Sequence, residues 1–470
     1  QGLVHRDLKP SNILLDAGAN AEVQAEWLVQ FAQMGSVYAR HRFGVERPKV
    51  GLLSIGEEPG KGDPLRKAAY ELLAVAPNID FIGNVEGRDF FSDDHEAYRA
   101  SVREFLKREV APHYERWEHE HLVDRSAWLA AGAAGIIGLG IPEQYGGGGV
   151  TDSRFRCVVA EEIARTGYTS FGVGLGLQDD IVIPYILDLG TEAQRERLLP
   201  GMADGSVIGA IAMTEPGAGS DLQGITTTAE RDGDGWVLNG SKTFISSGVH
   251  ADVVVVVATD PTAGSRGFSL FLVERGDEGF ERGRQLAKIG LAAQDTAELF
   301  FRGVRLGPDR LLGTEGGAMR ALMERLARER LSIAIAAVAA ADAALRWTLE
   351  YVFEREAFGQ RIGDFQHTRF LLAELETEID ITRAYVDKAT LALDAGELTA
   401  VEASKAKWWA SELQVRVTSQ CLQLFGGYGY MVEYPIARAF RDARIQTIYG
   451  GTTEIMKEII GREQAARFAR

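Results

Sequence analysis

Helix-like and strand-like patterns occupy separate parts of this chain, and their order restricts the folds that it can adopt. Between residues 90 and 205 apolar residues recur at helical spacing, whereas strand signals dominate from about 207 to 312. Three long helices are then predicted, over 317–353, 364–395 and 398–426. Because helices and strands do not alternate, the sequence predicts a multi-domain α+β architecture with separate layers rather than a βαβ fold.

Length, charge and cysteine content narrow the classes of protein that fit. The 470 residues exceed one typical domain, so about three compact units are expected. A net charge of −16 argues against a nucleic-acid partner, which needs clustered Lys and Arg. Apolar runs are too short for a membrane span, and the opening QGLVHRDLKP is not typical of a secretory signal. Cys157 and Cys421 match no metal or redox spacing, so we interpret them as free thiols in the cytoplasm.

A polar cluster in the strand-rich region is the first candidate binding segment. Residues 211–246 read IAMTEPGAGSDLQGITTTAERDGDGWVLNGSKTFIS. Gly217 and Gly219 allow the backbone to approach a ligand closely, because they have no Cβ. The Asn-Gly pair predicts a hairpin turn, and Phe244 and Ser246 on the following strand share one face. A surface β-loop is the alternative interpretation. The polar residues of the cluster are Thr214, Glu215, Ser220 and Asp221.

Three phrases in the C-terminal part form a second candidate site. They read REAFGQRIGDFQ (355–366), QLFGGYG (423–429) and RDARIQTIYGGTT (441–453). Arginine suits a diphosphate because its planar fork donates two hydrogen bonds. Gly426 and Gly427 would admit close backbone contact with a ligand, although the same pair is also typical of a helix C-cap.

Together with segment 211–246, these phrases resemble the acyl-CoA dehydrogenase family over residues 90–470. The resemblance implies an N-terminal α domain (90–205), a central β-barrel (206–315) and a C-terminal helical bundle (316–470). It also implies FAD as cofactor, an acyl-CoA substrate, electron-transferring flavoprotein as electron acceptor, and a homotetramer. In the implied reaction a base removes the α-proton of the thioester while the β-hydrogen leaves as hydride to the flavin, which gives a trans-2-enoyl-CoA.

The base that this reaction needs departs from the pattern of many family members. They carry a glutamate immediately before the Gly-Thr of the tail motif, where this chain has Gly450. The long-chain and isovaleryl branches instead carry the base in a Glu-Arg-Leu phrase on the first long C-terminal helix, which matches Glu329-Arg330-Leu331 here. We therefore predict Glu329 as the base and the backbone N–H of Gly450 as a donor to the thioester carbonyl.

Helix geometry supports Glu329 independently of the resemblance. One apolar face, spaced i, i+4, i+7 and i+11, holds Leu322, Leu326, Glu329 and Ile333. Burial on that face should raise the pKa of the carboxyl towards neutral pH. An ion pair with Arg325, four residues away, is the alternative role for Glu329. The competing carboxylate, Glu324, is spaced for a surface pair with Arg320.

The resemblance also implies binding roles at single positions, and no metal site is predicted. The positions that match FAD-contacting residues, some of them in a neighbouring subunit's site, are Ile211, Met213, Thr214, Phe244, Ser246, Arg355, Phe358, Gln366, Gln423, Gly427, Thr452 and Glu454. The positions that match residues binding the coenzyme A thioester are Ser220, Arg330 and Gly451.

The first 89 residues do not resemble the rest of the chain. Residues 1–16 resemble a protein-kinase catalytic loop, with Asp7 as the base and Asn12 as a magnesium ligand, but no other kinase motif accompanies them. Residues 17–89 resemble an internal piece of a phosphate acyltransferase of phospholipid synthesis. Their pattern predicts a partial α/β fragment with helix 22–43, strand 49–55, helix 63–74 and strand 79–82.

Two other functions are compatible with these observations. An acyl-CoA oxidase of the same fold would pass electrons to oxygen, although oxidases usually continue further beyond the tail motif. A catalytically silent flavin-binding chimera could result from the foreign front end. Anaerobic reduction of the flavin by acyl-CoA would separate the enzymes from the silent protein.

Overall fold

A computed structural model describes residues 12–15, 24–43, 46–53, 64–85, 91–259 and 267–468. They belong to two units, Gln1–Glu96 and Ala97–Arg470. The predicted boundary at residues 89 and 90 lies close to this division. Asp7 lies outside the described residues.

A three-stranded parallel sheet forms the first unit. Strand β2 (Lys49–Leu53) lies between β1 (Asn12–Leu15) and β3 (Asp80–Val85). Helices α1 (Ala25–Phe43) and α2 (Pro64–Ala74) match the helices predicted there. β1 falls inside the kinase-like stretch but is a strand of this sheet. The unit has its own apolar core, whose buried members are Ala25, Leu28, Ala32, Val50, Leu52, Ala69 and Leu73.

Short helices build the next part of the chain, as predicted. They are α3 (Asp93–Phe105), α4 (Tyr114–Glu120), α5 (Arg125–Ala133), α6 (Arg154–Thr166), α7 (Thr169–Gly176), α8 (Ile183–Leu189) and α9 (Glu192–Asp204). The chain adopts π-helical geometry at Leu106–Val110, directly after α3, and at Leu177–Val182, between α7 and α8. Helix α5 ends at Ala133, and Gly135 and Gly138 after it adopt left-handed backbone angles.

An eight-stranded sheet forms the central domain. Its strands are β4 (Gly209–Ala212), β5 (Thr228–Asp232), β6 (Gly235–Ser246), β7 (Val253–Thr259), β8 (Phe268–Glu274), β9 (Phe280–Gln285), β10 (Thr296–Leu306) and β11 (Leu311–Leu312). They pair in the order β11-β8-β7-β5-β6-β10-β9, with β4 also on β7. This sheet forms the central β domain that the resemblance implies, and among the described strands its path is open.

Strand β7 explains how the sheet joins the helices. Its sequence is VVVVVAT, and Val253 to Ala258 are buried on both faces, which is typical of a central strand covered on two sides. Alternate residues of β7 belong to two different apolar clusters. One cluster also contains residues of α8, α9 and α10 (Ala318–Glu354), so this face of the sheet packs directly against the helices that carry the site.

The prediction of a hairpin turn at Asn239-Gly240 is wrong. The chain turns earlier, at Gly233-Asp234, and β6 continues through the Asn-Gly pair to Ser246. Gly240 has φ +149°, and a Cβ there would lie 2.5 Å from Thr227 Oγ1. The Asn239 side chain accepts a hydrogen bond from the Gly303 N–H. This Asn-Gly pair therefore serves a close approach within the sheet, not a turn.

Long helices form the C-terminal bundle and confirm the three that the sequence predicts. The elements after α10 are β12 (Glu356–Ala357), β13 (Gln360–Arg361), α11 (Gln366–Asp394), α12 (Ala400–Phe425), α13 (Pro435–Ala443) and α14 (Thr453–Phe468). Helix α10 is rich in alanine on its buried side, which allows the backbone of α12 to pack closely. Cys157 and Cys421 are buried free thiols.

Helix α10 is also long and apolar enough to cross a membrane by composition alone. Its most apolar 18-residue window has a mean hydropathy of 1.4, and 61% of that window is buried. The central helix of a helical bundle has the same properties, so this is weak evidence for a membrane span.

We predict that Gly132→Ala destabilises the protein. Helix α5 approaches the end of α9 so closely that a Cβ at Gly132 would lie 2.3 Å from the carbonyl of Asp204. The backbones must separate, which should lower the free energy of unfolding by about 1–3 kcal/mol. Gly461→Ala on α14 is the matched control, because a Cβ there meets nothing within 4 Å. Equal melting temperatures for both variants would contradict the packing described.

Candidate active site

A cavity of about 1170 Å³ lies among the helical domain, the sheet and the C-terminal bundle. Its wall comes from α6 to α8, β4, the end of β6, α10 and the loop before α14. Pockets for one small molecule usually measure about 300–1,000 Å³. The space is therefore large enough for a cofactor together with a long substrate.

The cavity brings together most of the predicted site residues. Those that line it are Ile211, Met213, Thr214, Ser220, Phe244, Ser246, Glu329, Arg330, Gly450, Gly451 and Thr452. They come from stretches of sequence far apart, so the cavity is where the two candidate segments meet.

The Glu329 carboxyl is a buried acid in this wall. Its side chain lies on α10 and is only 4% exposed. Burial raises the pKa of Glu329 to about 7, although a hydrogen bond from Tyr185 and the charges of Arg330 and Arg325 act in the opposite direction. The Tyr185 hydroxyl donates to Glu329 Oε1 at 3.0 Å. The predicted rise in pKa is confirmed, and the carboxyl is suited to exchange a proton near neutral pH.

The alternative ion pair between Glu329 and Arg325 does not form. Arg325 pairs instead with Asp188 at 3.1 Å, and its guanidinium lies 5.4 Å from the centre of the Tyr185 ring. Glu324 bonds Arg320 at 2.8 Å on the surface, as its spacing predicts. Glu324 is therefore not a competitor for a role in the cavity.

Two buried cations hold the loop that contains Gly450. Arg330 Nε donates to the Gly450 carbonyl at 3.3 Å, and Lys407 Nζ donates to the Gly451 carbonyl at 2.6 Å. Burial lowers the pKa of Lys407 to about 8. Both glycines have positive φ, +65° and +101°, where other residues are strained. Among the described residues, the Gly450 N–H has no hydrogen-bond acceptor, so it is available to a ligand.

A buried ion pair fixes the segment that presents Thr214 and Ser220. Lys242 Nζ lies 2.9 Å from Glu215 Oε1 and also donates to the Met213 carbonyl at 3.0 Å. Burial would raise the pKa of Glu215, but hydrogen bonds from Thr226, Thr227 and Lys242 lower it to about 2. Glu215, a member of the predicted polar cluster, is thus an internal brace rather than a ligand contact.

Phe244 shows backbone strain at the cavity wall. Its φ is +59°, a left-handed angle that costs a bulky residue on the order of 1–3 kcal/mol, and its ring is 67% exposed. Strain of this kind concentrates at functional sites.

The lining suits FAD in its chemistry. The aromatic ring of Phe244 and the apolar Ile211 can pack against a flat ring system, while hydroxyl groups can bond a polar, hydroxylated chain. These hydroxyls belong to Thr214, Ser246 and Thr452.

Six other predicted FAD contacts do not line the cavity. They are exposed on the C-terminal bundle, at Arg355, Phe358, Gln366, Gln423, Gly427 and Glu454. The Arg355 guanidinium lies 5.9 Å from the centre of the Tyr428 ring, next to Gly427. Since the resemblance implies that some of these contacts are made in a neighbouring subunit's site, their roles stay predictions. The contact of Arg330 with the coenzyme A arm also stays a prediction.

Sequence reasoning missed three buried polar residues that organise the cavity, Tyr185, Lys242 and Lys407. Tyr185 lies in the apolar stretch IPYILDL, where an aromatic residue is normally a core residue. The two lysines were the stronger signal, because lysine seldom occupies the buried face of a strand or helix without a specific partner.

We predict that Lys242→Met destabilises the protein by about 3–5 kcal/mol, because it leaves the Glu215 carboxylate buried without its cation. Unfolding by denaturant would measure the loss. The control is Arg320→Met, which breaks an exposed pair with Glu324 and should change stability little. A Lys242→Met protein as stable as this control would contradict the bracing role.

Protein-family models match nearly the whole chain. Models of the acyl-CoA dehydrogenase N-terminal, middle and C-terminal domains match residues 92–206, 210–304 and 316–465. A model described as fatty acid synthesis protein matches residues 5–97, which supports part of the interpretation of the front end.

Relatives and solved structures cover the same region. The mitochondrial long-chain specific acyl-CoA dehydrogenase of Sus scrofa is 49% identical over 391 residues, 83% of this chain and 90% of that protein. The acyl-CoA dehydrogenase of Geobacillus kaustophilus is 47% identical with a TM-score of 0.78, and the match covers 80% of this chain and 99% of that one. A chain from a structure described as electron transferring flavoprotein of Acidaminococcus fermentans is 36% identical with a TM-score of 0.75, covering 80% and 98%.

Proposed function

Because this chain belongs to the acyl-CoA dehydrogenase family, a group of FAD-dependent oxidoreductases, we propose that it converts a fatty acyl-CoA to the trans-2-enoyl-CoA with Glu329 as the base. The observation that carries the proposal is the buried Glu329 carboxyl. It lies at the wall of the large cavity and has a pKa of about 7. A general base works best when its pKa is close to the operating pH.

The chain supplies two functions to the reacting thioester. Glu329 accepts the α-proton, and the Gly450 N–H donates a hydrogen bond to the thioester carbonyl, where negative charge develops. The hydrogen bonds that Arg330 and Lys407 donate to the Gly450 and Gly451 carbonyls hold the two peptides that follow this donor, which limits its reorganisation during the reaction.

FAD, when bound, would accept the hydride from the β-carbon. Among the residues that line the cavity, Ile211, Met213 and Phe244 would contact its ring system, and Thr214, Ser246 and Thr452 would contact its polar groups. The exposed set Arg355, Phe358, Gln366, Gln423, Gly427 and Glu454 would act on the cofactor in an assembled oligomer.

We propose a long acyl chain for the substrate. The part of the cavity between α6, α7 and α10 is lined by apolar side chains, among them Val159, Ile163, Leu177 and Ile333. The relative from Sus scrofa is named for long-chain substrates. Ser220, which is exposed at the cavity, remains the proposed contact of the coenzyme A arm.

Electron-transferring flavoprotein is the proposed acceptor, and a structure described by that name is among the similar structures. The homotetramer and the cytoplasmic location stay predictions. The relative from Sus scrofa is mitochondrial.

We predict that Glu329→Gln binds FAD but loses the ability to reduce it. The amide has nearly the shape of the carboxyl and cannot accept the α-proton, so the rate of anaerobic flavin bleaching by a long-chain acyl-CoA should fall at least a thousandfold, on the order expected for losing a general base. Stopped-flow absorbance measures this rate.

Glu324→Gln, on the exposed side of the same helix, is the control and should bleach at the normal rate. Near-normal bleaching by Glu329→Gln would place the base elsewhere. Failure of the unmodified protein to bleach with any acyl-CoA would support the silent chimera, and rapid reoxidation by oxygen would support the oxidase.

We predict that Gly450→Ala slows flavin reduction by at least tenfold. A Cβ at this position would lie 2.4 Å from Ile333 Cδ1, and φ +65° is unfavourable for alanine, so the N–H donor must move. Loss of one such donor typically costs on the order of 3 kcal/mol in the transition state. Gly233→Ala is matched, since it has the same φ in a surface turn with open space. Similar rates for the two variants would refute the donor role.

A further inference from the structure

We propose that Tyr185 is a positioning residue for the base. Its hydroxyl, which lies behind Glu329 as seen from the cavity, donates a hydrogen bond to the carboxylate and keeps it ionised for removal of the α-proton. This proposal rests on the proposed function, because it assumes that Glu329 is the base.

The geometry of the pair carries the proposal. Tyr185 is fully buried and does not line the cavity, whereas Glu329 does. The phenol donates to Oε1 at 3.0 Å, and among the described residues no donor is paired with Oε2. One carboxylate oxygen is thus held from the protein side, and the other is left for the substrate.

The tyrosine ring is itself fixed on both sides. It belongs to the apolar cluster between the sheet and α10, and the Arg325 guanidinium lies 5.4 Å from the ring centre. Asp188, one turn after Tyr185 on α8, holds Arg325 at 3.1 Å. This arrangement keeps Arg325 from pairing directly with Glu329. A direct pair would lower the pKa of the carboxyl and make the carboxylate a weaker base.

The charged and titratable groups around Glu329 determine how the pKa of its carboxyl should respond when the Tyr185 hydroxyl is removed. From α8 the carboxyl faces Tyr185, and from its own helix it meets the charges of Arg325 and Arg330. Lys407 on α12 is close enough to Arg330 for the charge of Arg330 to lower the pKa of Lys407. Burial and the neighbouring negative charge of Glu329 raise the pKa of Tyr185, so the phenol stays protonated as a donor. Only Tyr185 hydrogen-bonds the carboxyl among the described residues.

The test compares the pH dependence of flavin reduction in the wild type, Tyr185→Phe and Tyr145→Phe. Tyr145 is the matched control, because it is a buried tyrosine whose hydroxyl donates to Glu192 at 2.6 Å away from the cavity. In the wild type the rate should rise with a midpoint near pH 7. Without the donor the carboxylate is less stable, so Tyr185→Phe should move the midpoint upward by about one pH unit.

The shape of the profile separates positioning from general damage. Tyr185→Phe should be about tenfold slower than wild type on the acid side, because one pH unit changes the ionised fraction about tenfold there, and should approach the wild-type rate at high pH. Tyr145→Phe should keep the wild-type midpoint. An unchanged midpoint in Tyr185→Phe, or the same loss of rate at every pH, would overturn the proposal.

Two further measurements do not depend on turnover. The infrared band of the protonated Glu329 carboxyl, identified by its absence in Glu329→Gln, should titrate at higher pH in Tyr185→Phe. A fluorinated tyrosine at position 185, a stronger donor, should move this titration to lower pH, and it provides the test if Tyr185→Phe folds poorly. No movement in either direction would overturn the proposal. Full turnover by Glu329→Gln would instead remove the proposed base itself.

Discussion

The proposed chemistry of this site depends on the burial of one carboxyl group inside an apolar helix interface. Glu329 replaces a hydrophobic residue on α10, and the loss of water around it raises its pKa to about 7. A direct arginine partner would lower this pKa again, whereas a carboxyl with no partner at all would stay protonated at neutral pH. The neutral phenol of Tyr185 donates a hydrogen bond that stabilises the carboxylate less than an arginine would, and Arg325 pairs with Asp188 instead.

Buried cations perform a different task, which is to hold the backbone of segments that face the cavity. Lys242, Lys407 and Arg330 each donate to a main-chain carbonyl of a segment that faces the cavity. A buried ammonium group is costly unless its hydrogen bonds are satisfied, so these carbonyls stabilise the cations as much as the cations fix the loops. The loops at Met213 and Gly450 are thereby ordered without using the groups that a ligand needs.

The sequence predicts the long helices within a few residues, because an apolar stripe sustained over many turns of α10, α11 and α12 leaves little ambiguity in period. It fails at Asn239-Gly240, where a local turn signal is overridden by the approach of Thr227 from a neighbouring strand. Tyr185 escaped prediction for the same reason, since its hydrogen-bond partner is 144 residues away. Local motifs predict the loops that line the cavity. A residue such as Tyr185, which acts on a cavity residue through a hydrogen bond, depends on tertiary packing and is not visible in a local motif.

The location of the proposed base and the glycine at position 450 are physically coupled. Ile333 follows Glu329 by one turn on the same helix face, and its side chain fills the space beside Gly450. A carboxylate placed at 450 would meet Ile333 and would also need a left-handed backbone angle that favours glycine. The two positions of the base that the resemblance implies would therefore be alternative packings of one cavity wall. Exchanging them requires changes at the base, at the glycine and at the isoleucine together, because each occupies space that the other arrangement needs.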